Sequence, residues 1–420
     1  MSAPAATAPT RPAPAGRARL SKGTRLGVAF VGIVALLSLV RILSGADDLT
    51  SVGAVAAALG LSVPIGMAAL GGLWSERAGV VNIGLEGMMI MGTWCAGWAG
   101  YQWGPWAGLV AAIVGGAMFG LLHAVATVTF GVDQIISGVA INILGLGVTQ
   151  YLSSIAFTGV QGGGPTQSPR VSPMPTVSLP LVKTVLEPVA DSGVWLISDL
   201  ANIAIGLTTN VSVITLLAVA AIVGTYYILW RTRFGLRLRS CGENPWAAES
   251  LGVRVMRYKY AAVVASGAFA GMGGAYLVIA YAQIYREGQT GGRGYIGLAA
   301  MIFGNWRPGG LAMGSGLFGY VDGLQLRQGG TTVHALLLLA AILLLAFAVW
   351  SAWRRKRFSA IAGAVSGSLV LAWYLSTSEV PGEVATIAPY VTTLLVLSLA
   401  SQRLRMPAAD GQVYRKGESH

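Results

Sequence analysis

Apolar runs of helix length recur along the whole chain, separated by short polar or glycine- and proline-rich breaks. They predict helices near 25–43, 52–73, 80–99, 104–127, 134–157, 208–230, 260–282, 294–304, 310–326, 333–350, 359–376 and 388–401. Most hold roughly the 17–25 residues that carry a helix across a hydrocarbon core about 30 Å thick. The run 294–304 does not, because at 1.5 Å per residue it reaches only about 17 Å. The Asn305-Trp-Arg-Pro-Gly-Gly310 segment that follows is a strong turn signal. Two short helices around such a break could form a re-entrant pair, two abbreviated spans, or one tilted hairpin, and broken helices are tolerated where their backbone faces protein or a cavity.

Composition turns these runs into a fold class. Of 420 residues 54% are apolar and 10% charged, a balance that a soluble domain of ordinary size does not reach. The expected fold is an all-α polytopic membrane protein of about 10–12 transmembrane helices, some short or broken. The 58 glycines show no collagen period. The pairs Gly116/Gly120, Gly267/Gly271 and Gly319/Gly323 each put two small residues one turn apart, where helices can approach closely. A net charge of +12 would suggest nucleic acid for a soluble chain, but here position decides. Basic clusters at 11–25, 231–259, 354–357 and 403–416 fall together in the cytosol when both termini are placed there. Arg77 and Arg307 fall on the same side in short loops, and only Arg41, Arg170, Lys183, Arg286, Arg293 and Arg327 then lie elsewhere. Membrane lipid, not nucleic acid, is the expected surroundings. Cys95 in a span and Cys241 in a cytosolic loop argue against a structural disulfide.

The domain plan follows. Residues 1–23 read as a disordered basic tail, and the apolar run after them as a retained first helix. Residues 24–350 form the transmembrane domain with a cytosolic loop at 231–259, 351–405 a transmembrane extension, and 406–420 a cytosolic tail.

Polar groups inside the spans need a reason, since they are costly in lipid. Asn82 and Glu86 lie four apart and would share a helix face. Gln134 and Asn142 mark the fifth span, with Asp133 at its N-terminus, where an acid suits the helix dipole. Asn82, Glu86, Gln134 and Asn142 are the candidates for lining a substrate path; the structural alternative is that Glu86 bonds to backbone and braces the fold. No metal or catalytic cluster can be assembled from three scattered histidines and two cysteines. In the loop 158–207, Val194–Leu200 reads as a short interfacial helix; Glu187, Asp191 and Asp199 in that loop, with Glu287 beyond it on the same side, read as acids able to meet a basic partner.

The loop after Arg231 carries a capped helix. Asn244 is a good N-cap, Pro245 fits the first helical position, Trp246–Leu251 complete about two turns, and Gly252 ends them. Such a helix, presenting Trp246, Ala247, Ala248 and Leu251, suits a groove on a partner; a basic loop drawn to anionic lipid is the plainer alternative. No Gly-x-x-x-x-Gly-Lys-Ser/Thr phosphate loop occurs in the chain.

Several segments, in order, resemble the permease subunits of bacterial ABC importers for nucleosides, relatives of the simple-sugar permeases. They are Leu73-Trp-Ser-Glu-Arg-Ala-Gly-Val-Val-Asn-Ile-Gly-Leu-Glu-Gly-Met-Met-Ile-Met91, Val132-Asp-Gln-Ile-Ile-Ser-Gly-Val-Ala-Ile-Asn142, Phe234-Gly-Leu-Arg-Leu-Arg-Ser-Cys-Gly-Glu-Asn-Pro245 and Gly292-Arg-Gly-Tyr-Ile-Gly-Leu-Ala-Ala300. The resemblance runs from about residue 60 to 330; the last two spans and the Glu379/Glu383 loop depart from it. It implies a permease without its own ATPase site and without a bound cofactor, in the bacterial cytoplasmic membrane. Implied partners are a second related permease, a cytosolic ATPase that binds ATP and Mg, and an extracytoplasmic substrate-binding lipoprotein. The Glu243, Ala247–Ala248 and Gly252 order resembles the coupling helix that enters a cleft of that ATPase. Ribose or another simple sugar is the alternative cargo, and an ion-coupled carrier, which would need Glu86 or Asp322 as a working acid, a third reading.

Overall fold

A computed structural model describes residues 22–400 and 404–415; the basic tail expected at 1–23 lies almost wholly outside them. Helices dominate. In order they are α1 (Lys22–Ser44), α2 (Val52–Arg77), α3 (Leu85–Trp103), α4 (Pro105–Ala124), α5 (Gln134–Ala156), α6 (Pro180–Ala190), α7 (Ile197–Thr208) and α8 (Val213–Arg231). The second half comprises α9 (Arg233–Glu243), α10 (Pro245–Ser250), α11 (Val255–Ala275), α12 (Arg293–Phe303), α13 (Pro308–Trp353), α14 (Arg357–Ser376), α15 (Gly382–Ala385) and α16 (Ala388–Ala400). Wider turns extend α4 through Thr129 and α11 through Ala282. A two-residue ribbon pairs β1 (Thr176–Val177) with β2 (Val211–Ser212). Eight of the described helices are long and apolar enough to cross a membrane.

Starts and stops follow local chemistry. The side chains of Ser51, Asp133, Ser212 and Thr232 accept from the first free N–H groups of α2, α5, α8 and α9. Asp133 is the predicted cap. The centre is α2, α3, α4 and α11, packed through small residues. A Cβ on Gly267 would stand 2.2 Å from the Gly116 carbonyl oxygen, and one on Gly271 2.1 Å from that of Ala112. Two of the three predicted glycine pairs therefore face each other across α4 and α11, and the third lays α13 on Ser62 and Ala58 of α2.

Four expectations need correction. The third span does not start at 80: residues 78–84 are irregular, and α3 begins at Leu85, beside Gly71 of α2. Asn82 and Glu86 therefore share no helix face. The spans 310–326 and 333–350 are one continuous helix, α13, because Gly329-Gly330 introduces neither a cap nor a proline. Its 46 residues would measure about 69 Å if straight, and its two halves have different partners, α2 for the first and α14 for the second. The loop 158–207 holds α6 as well as α7, and its helix begins at Ile197, three residues later than Val194. Asp199 is buried against Arg41, Ser38 and Thr50, so it ties α7 to α1 and is not open to a partner.

Candidate functional site

The end of the bundle that carries Arg77, Arg231–Arg257 and Arg307 is its basic end, and two features converge there. The first is the polar network around residues 78–87. Asn82 is fully buried; its amide nitrogen donates to Ser266 Oγ of α11 (2.8 Å), and its oxygen accepts from Gly84 N–H (3.0 Å). Val81 is held from both sides. Its N–H donates to Gln134 Oε1 (2.6 Å), and its carbonyl accepts from His123 Nε2 (3.1 Å). A carbonyl can only accept, so Nε2 carries the proton and Nδ1 accepts from Ser137 Oγ (2.9 Å). Asn142 Oδ1 accepts from Gly87 N–H (2.7 Å), while its Nδ2 donates to Ile83 O (3.0 Å) and Tyr295 Oη (2.9 Å).

Glu86 completes the network from the first turn of α3. One carboxylate oxygen accepts from Gly292 N–H (3.0 Å) and the other from Gly294 N–H (2.6 Å). Those donors are among the orphan amides at the start of α12, so Glu86 caps a short helix that begins inside the bundle. Arg293 beside them forms a buried ion pair with Asp322 (2.8 Å). At the other end of α12 the Asn305–Trp306 turn is pinned to α2: Trp306 Nε1 donates to Glu76 Oε2 (2.6 Å), and Arg77 donates twice to Trp306 O. The structure thus joins all four path candidates in one network about an irregular segment. Asn82, Glu86 and Gln134 are buried and spend their bonds on backbone, Ser266 or Met88 Sδ; Asn142 with Tyr295 (46% exposed) meets the surface.

The second feature is the capped helix α10. Asn244 Oδ1 accepts from Ala247 N–H (2.9 Å), Pro245 opens the helix, and Gly252 closes it at φ +80°. The outward face differs from expectation. Ala248 is buried and Trp246 turns inward onto Tyr414, leaving Ala247, Ser250 and Leu251 (84% exposed) outside. Glu243 ends α9 and pairs with Arg77 at 3.8 Å, linking α9 to α2. Clefts of about 430 and 420 Å³ flank the α10–α11 turn, one lined by Phe234, Arg237, Arg257 and Tyr258, the other by Glu249, Met256 and Tyr414. Reasoning from sequence missed α9, whose Phe234, Leu238 and Cys241 are spaced as a helix face, and missed Tyr295, His123 and Tyr414 as partners.

Residues 54–348 match the family described as branched-chain amino acid transport system / permease component. A guanosine ABC transporter permease of Bacillus subtilis, NupQ, is 33% identical over 372 residues, covering 87% of this chain and 97% of its own. A nucleoside ABC transporter permease of Lactococcus lactis, NupC, is 31% identical, covering 85% and 95%. A putative glucose ABC transporter permease of Haloferax volcanii is 31% identical, covering 83% and 93%. No solved structure matches the chain. With a family match across most of its length, and relatives aligned over nearly the whole of theirs, this chain belongs to the branched-chain amino acid transport system permease family and is an ABC transporter permease, a multi-pass protein of the cytoplasmic membrane.

Proposed function

We propose that this chain is one of two related permease subunits of an ATP-driven nucleoside importer working by alternating access. The observation that carries the reading is the capped helix α10 with Ala247 and Leu251 outward between two clefts, at the basic end. That end faces the cytosol by the charge rule, and a short rigid helix there is a ready seat for a separate ATPase that binds ATP and Mg. Nucleoside cargo is supported by the names of the Bacillus and Lactococcus relatives. A second guanosine permease of the same Bacillus, NupP, is also similar, at 24% identity, which supports a pair of unlike permeases. A receptor lipoprotein delivers substrate to the opposite end. The Asn142–Tyr295 pair, with Tyr295 exposed and Asn142 half-buried, is the best-placed polar contact with the path. Glucose is the second reading, because the Haloferax relative matches almost as closely.

The test is uptake of labelled guanosine, uridine, adenosine, ribose and glucose by cells expressing the chain with its neighbouring permease, ATPase and lipoprotein. Nucleoside uptake abolished by an ATPase-dead subunit supports the reading; sugar uptake alone moves the chain to the sugar branch, and uptake that survives without hydrolysis refutes both. Ala247→Asp places a charge on the outward face of α10 without touching its buried side, so it should release the ATPase while insertion persists. An ATPase that stays bound would remove α10 from the interface.

A further inference from the structure

The segment after α16 folds back across the basic end. Arg405 N–H donates to Asn305 Oδ1 (2.8 Å), Ala408 N–H to Glu243 Oε2 (3.3 Å) and Ala409 N–H to Gly242 O (2.9 Å). Asp410 is buried and faces Glu76, Arg77 and Lys259. Gly411 lies beside Val81, and Val413 beside Gly131. Tyr414 ends the run, buried with Cys241, Ala248 and Val255, its ring 6.1 Å from that of Trp246. A few residues therefore join the end of α9, the 78–84 segment, the loop before α5 and the inner side of α10.

We propose that Ala408–Tyr414 is a transmission strap, which carries displacement of α10 to the 78–87 network and so to α3 and α12. The inference rests on the ATPase seat at α10 proposed above. A partner bearing on the outward face of α10 presses its inward face, Trp246 and Ala248, onto Tyr414. Close-packed interiors transmit such strain instead of absorbing it. The other end of the strap meets Val81, the residue that Gln134 and His123 grip, and Lys259, whose ammonium donates to Gly79 O at 2.9 Å. Movement of α10 thus arrives at the segment that Asn142 of α5 grips and from which Glu86 holds the start of α12.

The experiment uses the full complex with its second permease, ATPase and receptor, in a Cys95→Ser background. Variants are Tyr414→Ala, Tyr414→Phe and a truncation after Met406. Three quantities are read: ATPase retained on purification, substrate moved per ATP hydrolysed, and maleimide labelling of Cys241. Burial pushes that thiol up to about 11 and shields it, so labelling reports whether the strap is seated. Tyr414→Ala and the truncation should keep the ATPase and its hydrolysis, lower transport per ATP at least tenfold, and raise labelling severalfold. Tyr414→Phe, which keeps the ring, should behave as wild type. Unchanged transport per ATP with Cys241 opened would overturn the strap. Loss of the ATPase on truncation would also overturn it, making the tail a docking surface. A wild-type complex that never holds its ATPase would instead defeat the reading of α10, and the strap with it.

Discussion

Glu86→Gln separates a brace from a transport group. The native carboxylate uses both oxygens, on Gly292 N–H at 3.0 Å and Gly294 N–H at 2.6 Å, in a buried site. Glutamine offers one oxygen and one amide nitrogen, so one bond survives and the other N–H faces a donor. A hydrogen bond to a charged group contributes about 1.5–3 kcal/mol, and a buried donor left without a partner costs about 1–3 kcal/mol. The terms overlap, and loss of negative charge at the start of α12 adds up to about 2 kcal/mol. The expected total is about 2–4 kcal/mol of destabilisation, localised to the α3–α12 contact. Thermal unfolding of the purified complex in nanodiscs should show a drop of several degrees, and hydrogen exchange of residues 291–296 should rise while that of the α4–α11 contact does not. Uptake should fall with the stability loss and recover at lower temperature. Lost uptake with an unchanged unfolding temperature and unchanged exchange would refute the bracing argument and return Glu86 to the transport chemistry.

Four further outcomes follow from other contacts. Gly267→Ala places a methyl carbon 2.2 Å from the Gly116 carbonyl oxygen, so α4 and α11 must separate; overpacking of this kind costs about 1–3 kcal/mol, and the yield of folded protein by fluorescence-detected size exclusion should fall sharply. Asn142→Leu leaves Gly87 N–H and Ile83 C=O without their partner and should lower the unfolding temperature, whereas Tyr295→Phe frees one Asn142 N–H on the exposed side, leaves the bonds to Gly87 and Ile83 in place, and should change the KM of uptake with little effect on unfolding. Burial raises the Asp410 carboxyl, which shares its site with Glu76, from its ordinary value to about 7, against the opposing pull of the hydrogen bond from Glu76 and of Lys259 and Arg77. The docked tail then holds the proton more tightly than the free tail, so docking is firmest below about pH 4, weakens as pH rises to about 7, and is level above that. Hydrogen exchange of residues 408–414, corrected for intrinsic rates, should show this trend, and Asp410→Asn should flatten it.

How much was legible in the chain depends on the range over which each feature is specified. Helix existence is local: long apolar runs, Asp133 and Asn244 as caps, and glycines one turn apart all have the structure their residue types imply. The errors arise where partners are distant in sequence. Gly79–Gly84 lies inside an apolar run, and nothing near it shows that Gln134, His123 and Ser266 will satisfy its backbone and side chains in place of a helix. Gly329-Gly330 looks like a loop to a reader of neighbours, yet packing near Val380 and α1 lets α13 continue. The basic composition of 231–243 hid an amphipathic helix whose apolar side, Phe234, Leu238 and Cys241, had the right spacing all along.

The same distinction bears on the coupling face. Ala247 and Ala248 are equivalent as small residues in sequence, but only Ala247 is open, because Tyr414 and Cys241 occupy the other side of α10. The docking helix proposed above rests on Tyr414, more than 160 positions later in the sequence, and cannot be displaced without loading that contact. The tail, the 78–84 segment and the start of α12 are therefore parts of one mechanical train. Substitutions spread over more than three hundred positions of sequence, from Val81 to Tyr414, should alter a single observable: substrate moved per ATP hydrolysed.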